Sequence, residues 1–122
     1  MLRPALLLLP LFAVSLAHFR YAFPLHYDDL LISPLVTSFS CDNRPYGYYA
    51  DVDNACQVYH VCMPLFDADG DLHGSYHFSF VCGNATVFCQ QTLTCIVPNE
   101  FCRCEDSPEH YDFVNARFAK VH

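Results

Sequence analysis

Basic residues are scarce in this chain, which carries 6 Lys and Arg against 13 Asp and Glu. A surface of this sign repels phosphate groups, which argues against nucleic acid as a partner and, for the same reason, against an anionic membrane. The chain also lacks an apolar run of the roughly 20 residues that a membrane-spanning helix needs. A neutral or cationic partner is left open.

Motifs of catalysis and of metal binding are missing as well. There is no G-x-S-x-G nucleophile motif, and no glutamate follows His73 as the zinc metalloprotease motif requires. No paired C-x-x-C motif indicates a zinc site. Residues 67–71 resemble a calcium loop, but the glycine comes fourth instead of sixth, and Phe78 stands in twelfth position instead of glutamate. The sequence predicts no enzyme, no metal site and no cofactor.

The beginning of the chain has the features of a secreted protein. Residues 1–17 show the three regions of a signal peptide, with Arg3 as the positive start, an apolar run at 5–14 and a final small-x-small cleavage site. Cleavage there would leave an extracellular chain that begins at His18. Residues 18–40 contain no cysteine and show no period of 2 or 3.6, which indicates a linker or a loosely docked arm.

Eight cysteines all follow the predicted cleavage site. An even number of cysteines behind a secretion signal indicates a disulfide framework. The module that they define covers residues 41–106, and a chain this short needs such bridges because it cannot bury enough apolar surface. Sequence alone permits on the order of a hundred pairings of eight cysteines.

Strands are predicted between the cysteines and helix only after them. Residues 57–66 are rich in Val, Tyr and Phe and predict a strand, while the polar, glycine-bearing residues 67–74 predict a turn. The tail at 107–122 starts with Ser107 as N-cap and Pro108 in the first turn, so we expect at most a short helix there. The predicted fold is small, disulfide-rich and mainly β, with two short antiparallel hairpins or sheets stapled by four disulfides.

An alternating stretch at residues 75–82 predicts a half-buried strand. The turn signal Gly83-Asn84 follows it, and residues 85–89 would be the returning strand of a hairpin. Asn84-Ala85-Thr86 is also an acceptor sequon, which makes Asn84 a candidate glycosylation site. The face of the strand that we expect in the core carries Tyr76, Phe78, Phe80 and Cys82.

The spacing of the cysteines is the most specific pattern in the chain. From Cys41 the gaps are fourteen residues to Cys56, five to Cys62, nineteen to Cys82, twelve to Cys95 and eight to Cys104. With the phrases "RPYGYYADVDNACQVYHVC" and "FVCGNATVFCQQTLTC", the chain resembles the type-2 chitin-binding (peritrophin-A) family over about residues 41–112. It is most similar to single-module arthropod members in cuticle-related proteins and centipede venoms.

This resemblance implies a disulfide pairing of first with third, second with sixth and fourth with fifth cysteine of the family pattern. Cys89 and Cys102 are additional to that pattern, so a fourth bridge between them is the economical inference. An exchange of roles between Cys102 and Cys104 is left open. The implied bridges are Cys41–Cys62, Cys56–Cys104, Cys82–Cys95 and Cys89–Cys102.

The resemblance also implies a partner, chitin, which is a neutral polymer of N-acetylglucosamine. Aromatic rings can pack against the CH faces of its sugars, while polar groups bind the acetamides. Strand parity, counted from the bridged cysteines, turns Tyr59 and Phe88 outward. Tyr48 and Tyr49 lie in a predicted loop, where we expect one to pack and one to be exposed. These four are the candidate chitin-binding residues, and the alternative is that all of their rings fill the core.

The expected function is that of a secreted, non-catalytic protein that binds chitin in cuticle or a related extracellular matrix. The alternative is a venom-like or signalling effector that uses the same scaffold against a protein target, because a shared fold does not fix a function.

Overall fold

The computed structural model describes residues 20–121, and the predicted signal peptide at 1–17 lies outside them. The described part is mainly β, with two antiparallel sheets and one C-terminal helix, as the sequence predicts. No helix within it is long and apolar enough to cross a membrane. The elements are a 3-10 turn at Tyr27–Leu30, β1 at Gly47–Ala50, a 3-10 turn at Val52–Asn54, β2 at Val58–Phe66, β3 at Leu72–Val81, β4 at Val87–Cys89, β5 at Thr94–Ile96, a 3-10 turn at Cys104–Asp106 and α1 at Ser107–Val121.

The first sheet has the strand order β1-β2-β3. The predicted strands at 57–66 and 75–82 are present as β2 and β3, with Tyr59 opposite Phe80 and Val61 opposite Phe78. The expectation that Tyr48 and Tyr49 lie in a loop is wrong, because both belong to β1. Tyrosine favours the half-buried pleated surface that β2 offers to this strand.

Side chains form hydrogen bonds with the backbone along the outer edge of β1. Without them this edge, which pairs with no other strand, would expose its backbone groups. Asn115 of α1 accepts from the Tyr48 amide at 3.0 Å and donates to the Tyr48 carbonyl at 2.9 Å. Gln90 accepts from the Ala50 amide and donates to the Tyr48 carbonyl, each at 2.7 Å. The Tyr111 hydroxyl donates to the Ala50 carbonyl at 2.6 Å. These bonds fix α1 and the loop between β4 and β5 to the sheet as a substitute for a fourth strand.

The second sheet corrects the predicted hairpin. Residues 87–89 do form a strand, β4, but it pairs with β5 and not with β3. Ala85 adopts a left-handed conformation with φ of 60°, and the Thr86 amide donates to the Gly83 carbonyl at 3.0 Å. This closed turn directs the chain away from β3, so that the following strand does not pair with it. The hairpin that does form, β4 with β5, was not predicted.

Four disulfides staple the fold, and their pairing is the one that the family resemblance implies. No cysteine is free, and Cys104, not Cys102, is bonded to Cys56, so the exchange between the two does not occur. Two bridges lie within or next to the second sheet, and the other two tie β2 and its preceding turn to the beginning and end of the module. The bridges are Cys41–Cys62, Cys56–Cys104, Cys82–Cys95 and Cys89–Cys102.

The core is divided between the two faces of the first sheet. One cluster fills the space between the two sheets, and its buried members are Ala50, Cys56, Cys82 and Phe88. The other lies on the opposite face and consists of Cys41, Tyr49 and Cys62, with Phe39 and Tyr111 packed against it. The guanidinium of Arg44 closes this second cluster, 4.5 Å from the Phe39 ring centre.

The face of β3 that was expected in the core is the open one. Tyr76, Phe78 and Phe80 are 52%, 40% and 44% exposed, whereas His77 and Ser79 are buried. Residues that precede the module cover the face of β3 that carries His77 and Ser79. The polar side chains on this face form hydrogen bonds with other buried groups. Cys82 is buried as expected, but it lies one residue beyond β3, where the alternation of the strand no longer applies.

Residues 20–40 run along the module as an arm that is held by two buried carboxamides. Asn54 donates to the Val36 carbonyl at 2.7 Å and accepts from the Val36 amide at 2.8 Å. Gln57 donates to the Leu30 carbonyl and accepts from the Ile32 amide, both at 2.8 Å. Every bond that these two side chains make to the arm is to a main-chain group, so they hold the arm through its backbone.

Candidate functional site

Aromatic rings form a row on the face of the first sheet that the arm leaves open. The Tyr59 ring lies between Phe88, with centroids 4.2 Å apart, and Phe80, with centroids 5.2 Å apart, and both pairs are stacked. Farther along β3, Phe78 and Tyr76 have centroids 6.1 Å apart. Stacked rings on a paired sheet hold one another in place, which gives a stiff apolar surface.

The structure separates the four candidate chitin-binding residues. Phe88 is 3% and Tyr49 is 1% exposed, so the prediction that Phe88 faces outward is wrong, and Tyr49 is the tyrosine of its pair that packs. Tyr59 and Tyr48 are half-buried. Strand parity fails for Phe88 because β4 packs on the first sheet, where the Phe88 ring stacks against Tyr59 and Tyr48.

Three exposed rings of this row, Tyr76, Phe78 and Phe80, were assigned to the core from the sequence. The pairing register of β2 and β3 identifies these rings as exposed, because Phe80 lies opposite Tyr59 and therefore shares its face. The pairing register between β2 and β3 cannot be read from the sequence. The three rings were placed in the core because they share parity with Cys82, which left His77 and Ser79 outside. Both polar residues are in fact buried, and a hydrogen-bonded network accommodates them.

Such a network lies under the other face of the sheet. His60 Nε2 is 2.6 Å from Asp51 Oδ2, and His60 Nδ1 is 2.7 Å from Ser79 Oγ and 3.0 Å from His77 Nε2. Burial lowers the pKa of His60. Burial, and then the neighbouring His60, lower the pKa of His77 to about 4. Both imidazoles are therefore neutral at neutral pH.

Asp51, His60 and Ser79 follow the carboxylate–imidazole–hydroxyl order of serine hydrolases. The Phe39 ring stacks on His60 at 4.0 Å between centroids, and the Tyr21 ring lies edge-on to it at 5.6 Å. Ser79 is only 8% exposed beneath these rings. The arrangement supports a role of this network in holding the fold and the arm together.

The loop that resembles a calcium site brings the carboxylates of Asp67, Asp69 and Asp71 within 4.8 Å of one another. Asp67 Oδ1 accepts from the backbone amides of Asp69 and Asp71, both at 2.9 Å, and Oδ2 lies 2.8 Å from His73 Nε2. These bonds, first that from the Asp71 amide and then that to His73, hold the pKa of Asp67 below its usual value. Asp67 thus closes the β2–β3 turn with both of its oxygens.

The fold and its open face define a small, disulfide-stapled β-module with a stiff aromatic surface and a separate, buried polar network. The sequence profile of the Chitin binding Peritrophin-A domain matches residues 41–107, and the chain belongs to this family. The family is a carbohydrate-binding, non-catalytic one.

Two curated relatives come from centipedes. U-scoloptoxin(01)-Cw1a of Cormocephalus westwoodi is 39% identical over 88 residues, which cover 72% of this chain and 66% of that protein, slightly less than two thirds of its length. U-scoloptoxin(01)-Er1a of Ethmostigmus rubripes is 32% identical over 116 residues, which cover 95% of this chain and 87% of that protein. No solved structure matches the chain.

Proposed function

We propose that this protein is a secreted, non-catalytic chitin-binding protein of cuticle or a related extracellular matrix. The observation that carries the proposal is the row of exposed rings on a module whose family binds chitin. A flat, apolar, stiff surface is what the CH faces of sugar rings require. The formal charge of −7 does not oppose binding, because chitin is neutral.

Within the row, we assign the sugar contacts to Phe80, Phe78 and Tyr76, with Tyr59 at the half-buried end. Burial raises the pKa of Tyr59, so its hydroxyl stays neutral and can bind an acetamide group. Phe88 supports Tyr59 from below. Tyr49 is too deeply buried for direct contact. Of the four candidates from the sequence, Tyr59 and Tyr48 therefore remain as surface groups, Phe88 supports the row, and Tyr49 belongs to the core on the opposite face.

Removing two exposed rings together, with Phe78→Ala and Phe80→Ala, is expected to weaken retention on chitin beads by roughly 5- to 150-fold. Each lost stack is taken to cost about 0.5–1.5 kcal/mol, as for pairs of aromatic side chains. The melting temperature should fall less than for a buried ring such as Phe88, because both rings are more than a third exposed and the double variant leaves the core filled. Pull-down with chitin beads and thermal melting measure the two quantities.

The matched control is Phe101→Ala, which removes an 88% exposed ring from a loop outside the first sheet. It should bind chitin like the unchanged protein. Equal loss in the control and the double variant would show non-specific adhesion through any exposed ring. Full retention by a folded double variant would contradict the assignment of the row.

A second candidate function is that of an effector that acts on a protein target. It is favoured by the two relatives, which are named as toxins. A correctly folded protein that is not retained on chitin would support this alternative over chitin binding. Expression in a gland instead of epidermis or gut would support it further.

Asn84 is proposed to carry an N-linked glycan. Its side chain is exposed in the turn between β3 and β4, where an oligosaccharide meets no packed surface. We expect the protein from a secreting eukaryotic host to lose mass on treatment with an N-glycanase, and an Asn84→Gln variant to lack that mass. An unmodified Asn84 in a peptide map would contradict the proposal.

A further inference from the structure

A continuous path of hydrogen bonds connects the buried histidines to the backbone of the arm. His77 contacts His60 at 3.0 Å, and His60 contacts Asp51 Oδ2 at 2.6 Å. The same oxygen of Asp51 accepts from Asn54 Nδ2 at 2.9 Å. Asn54 in turn binds the amide and the carbonyl of Val36. The groups that titrate and the groups that hold the arm thus belong to one network.

The arm also covers the two imidazoles directly. Phe39 stacks on His60 with an angle of 9° between the ring planes, and its centroid lies 5.5 Å from that of His77. The edge of Tyr21 contacts both imidazoles, at 5.6 and 5.7 Å, and its hydroxyl donates to the Phe39 carbonyl at 3.4 Å. The arm is therefore the part of the protein that keeps water from the histidine pair.

Two neutral imidazoles satisfy this arrangement. Asp51 can only accept, so His60 donates from Nε2 and must accept at Nδ1 from Ser79 and His77. A second proton on His60 would turn Nδ1 into a donor for which only Ser79 Oγ, at 2.7 Å, can accept, and Nδ1 would then face the N–H of His77 Nε2 at 3.0 Å, donor against donor. Doubly charged, the pair would also place two positive charges in a buried site.

The charged groups around the pair act in opposite directions. Asp51 favours a proton on His60, whereas Arg44, from the loop before β1, opposes it. Arg20, from the arm, opposes a proton on His77, and Asp51 favours it only as the last of four influences. Burial is the largest influence on both histidines, and the arm provides a part of that burial.

We propose that residues 20–40 are an acid-released strap: protonation of the His60–His77 pair undocks them from the first sheet, while the disulfide-stapled module stays folded. Release would uncover the histidine face and the carboxamides of Asn54 and Gln57, which can bind an extended backbone. The inference does not depend on chitin binding, because the row of exposed rings lies on the opposite face of the sheet.

The direction of the pH dependence follows from linkage. The pKa of His77 is lowered from 6.5 to about 4 in the folded protein, so the docked state is favoured above pH 6.5. Docking is lost as the pH falls from there toward 4, because the released state then binds more protons. The module resists the same change because four disulfides close it, whereas the arm contains no cysteine.

The test is amide hydrogen exchange, followed by NMR on the disulfide-intact protein between pH 7 and pH 4 and corrected for intrinsic exchange rates. The amides of Ile32 and Val36 report the arm, and those of Cys82 and Phe88 report the module. Protection of the arm amides should fall on the order of 100-fold, the effect of a pKa shift of this size. Protection of the module amides should persist.

Two variants assign the effect. In His77→Gln, the replacement cannot be protonated, and the arm amides should keep their protection at pH 4. His26→Gln is the matched control, because His26 lies in the arm with its side chain 75% exposed, and it should release the arm as the unchanged protein does.

Hydrogen exchange of the unchanged protein tests the proposal even if His77→Gln does not fold. Arm protection that persists at pH 4 would overturn the strap. So would simultaneous loss of protection at Cys82 and Phe88, since unfolding would then be global. A folded His77→Gln variant that releases its arm as the unchanged protein does would assign the effect to another group and overturn the role of the pair.

Discussion

Phe88→Ala is expected to lower the free energy of unfolding by about 3–5 kcal/mol, the usual cost of emptying a buried phenylalanine site. Phe88 is 3% exposed and fills the space between the two sheets. Its ring is stacked against Tyr59 and Tyr48, so the change also removes the support below the half-buried end of the ring row. Chemical denaturation of the oxidised protein measures the loss.

Phe101→Ala again supplies the control, because it deletes the same side chain from an exposed position and should change the unfolding free energy by less than about 0.5 kcal/mol. If Phe88→Ala were as stable as this control and bound chitin less well, then Phe88 would be a surface group, as strand parity predicts. A large loss of stability is the result that the packed ring requires.

Removal of the Cys56–Cys104 bridge by a double change to alanine is expected to cost about 4 kcal/mol, against about 3 kcal/mol for the Cys82–Cys95 bridge. The difference follows from the separation of the paired residues, 48 for the first bridge and 13 for the second, since a longer closed loop removes more entropy from the unfolded chain. Denaturation midpoints of the two double variants compare them under one condition.

Cys56 and Cys82 are both buried in the cluster between the sheets, but Cys104 packs against this cluster whereas Cys95 is exposed, so the loss of the first bridge also removes more packing. The variant without the Cys82–Cys95 bridge is the matched control, because it loses the same chemical bond over a shorter loop. Equal losses in the two variants would show that loop length does not determine the stabilisation. A variant that never reaches the folded state would agree with the larger expected cost.

Local signals in the sequence were sufficient where the determining contacts are close along the chain. The strands at 57–66 and 75–82 were predicted from composition and alternation, and the helix after Ser107 from its first turn. The hairpin signal at Gly83-Asn84 misled, because Gly83 and Thr86 close a turn but the following strand pairs elsewhere. A turn determines where the chain reverses, but it does not determine which strand the following segment pairs with.

The sequence by itself determined the disulfide-rich β class and, through the resemblance of its cysteine spacing to a known family, the four bridges. Only the tertiary structure decided which face of β3 is open and where Phe88 lies. Alternation defines two faces but does not say which one is covered. Here the arm packs over His77 and Ser79, and β4 packs over Tyr59. Both coverings come from segments distant in sequence, so the exposure of each ring depends on contacts that no local pattern contains.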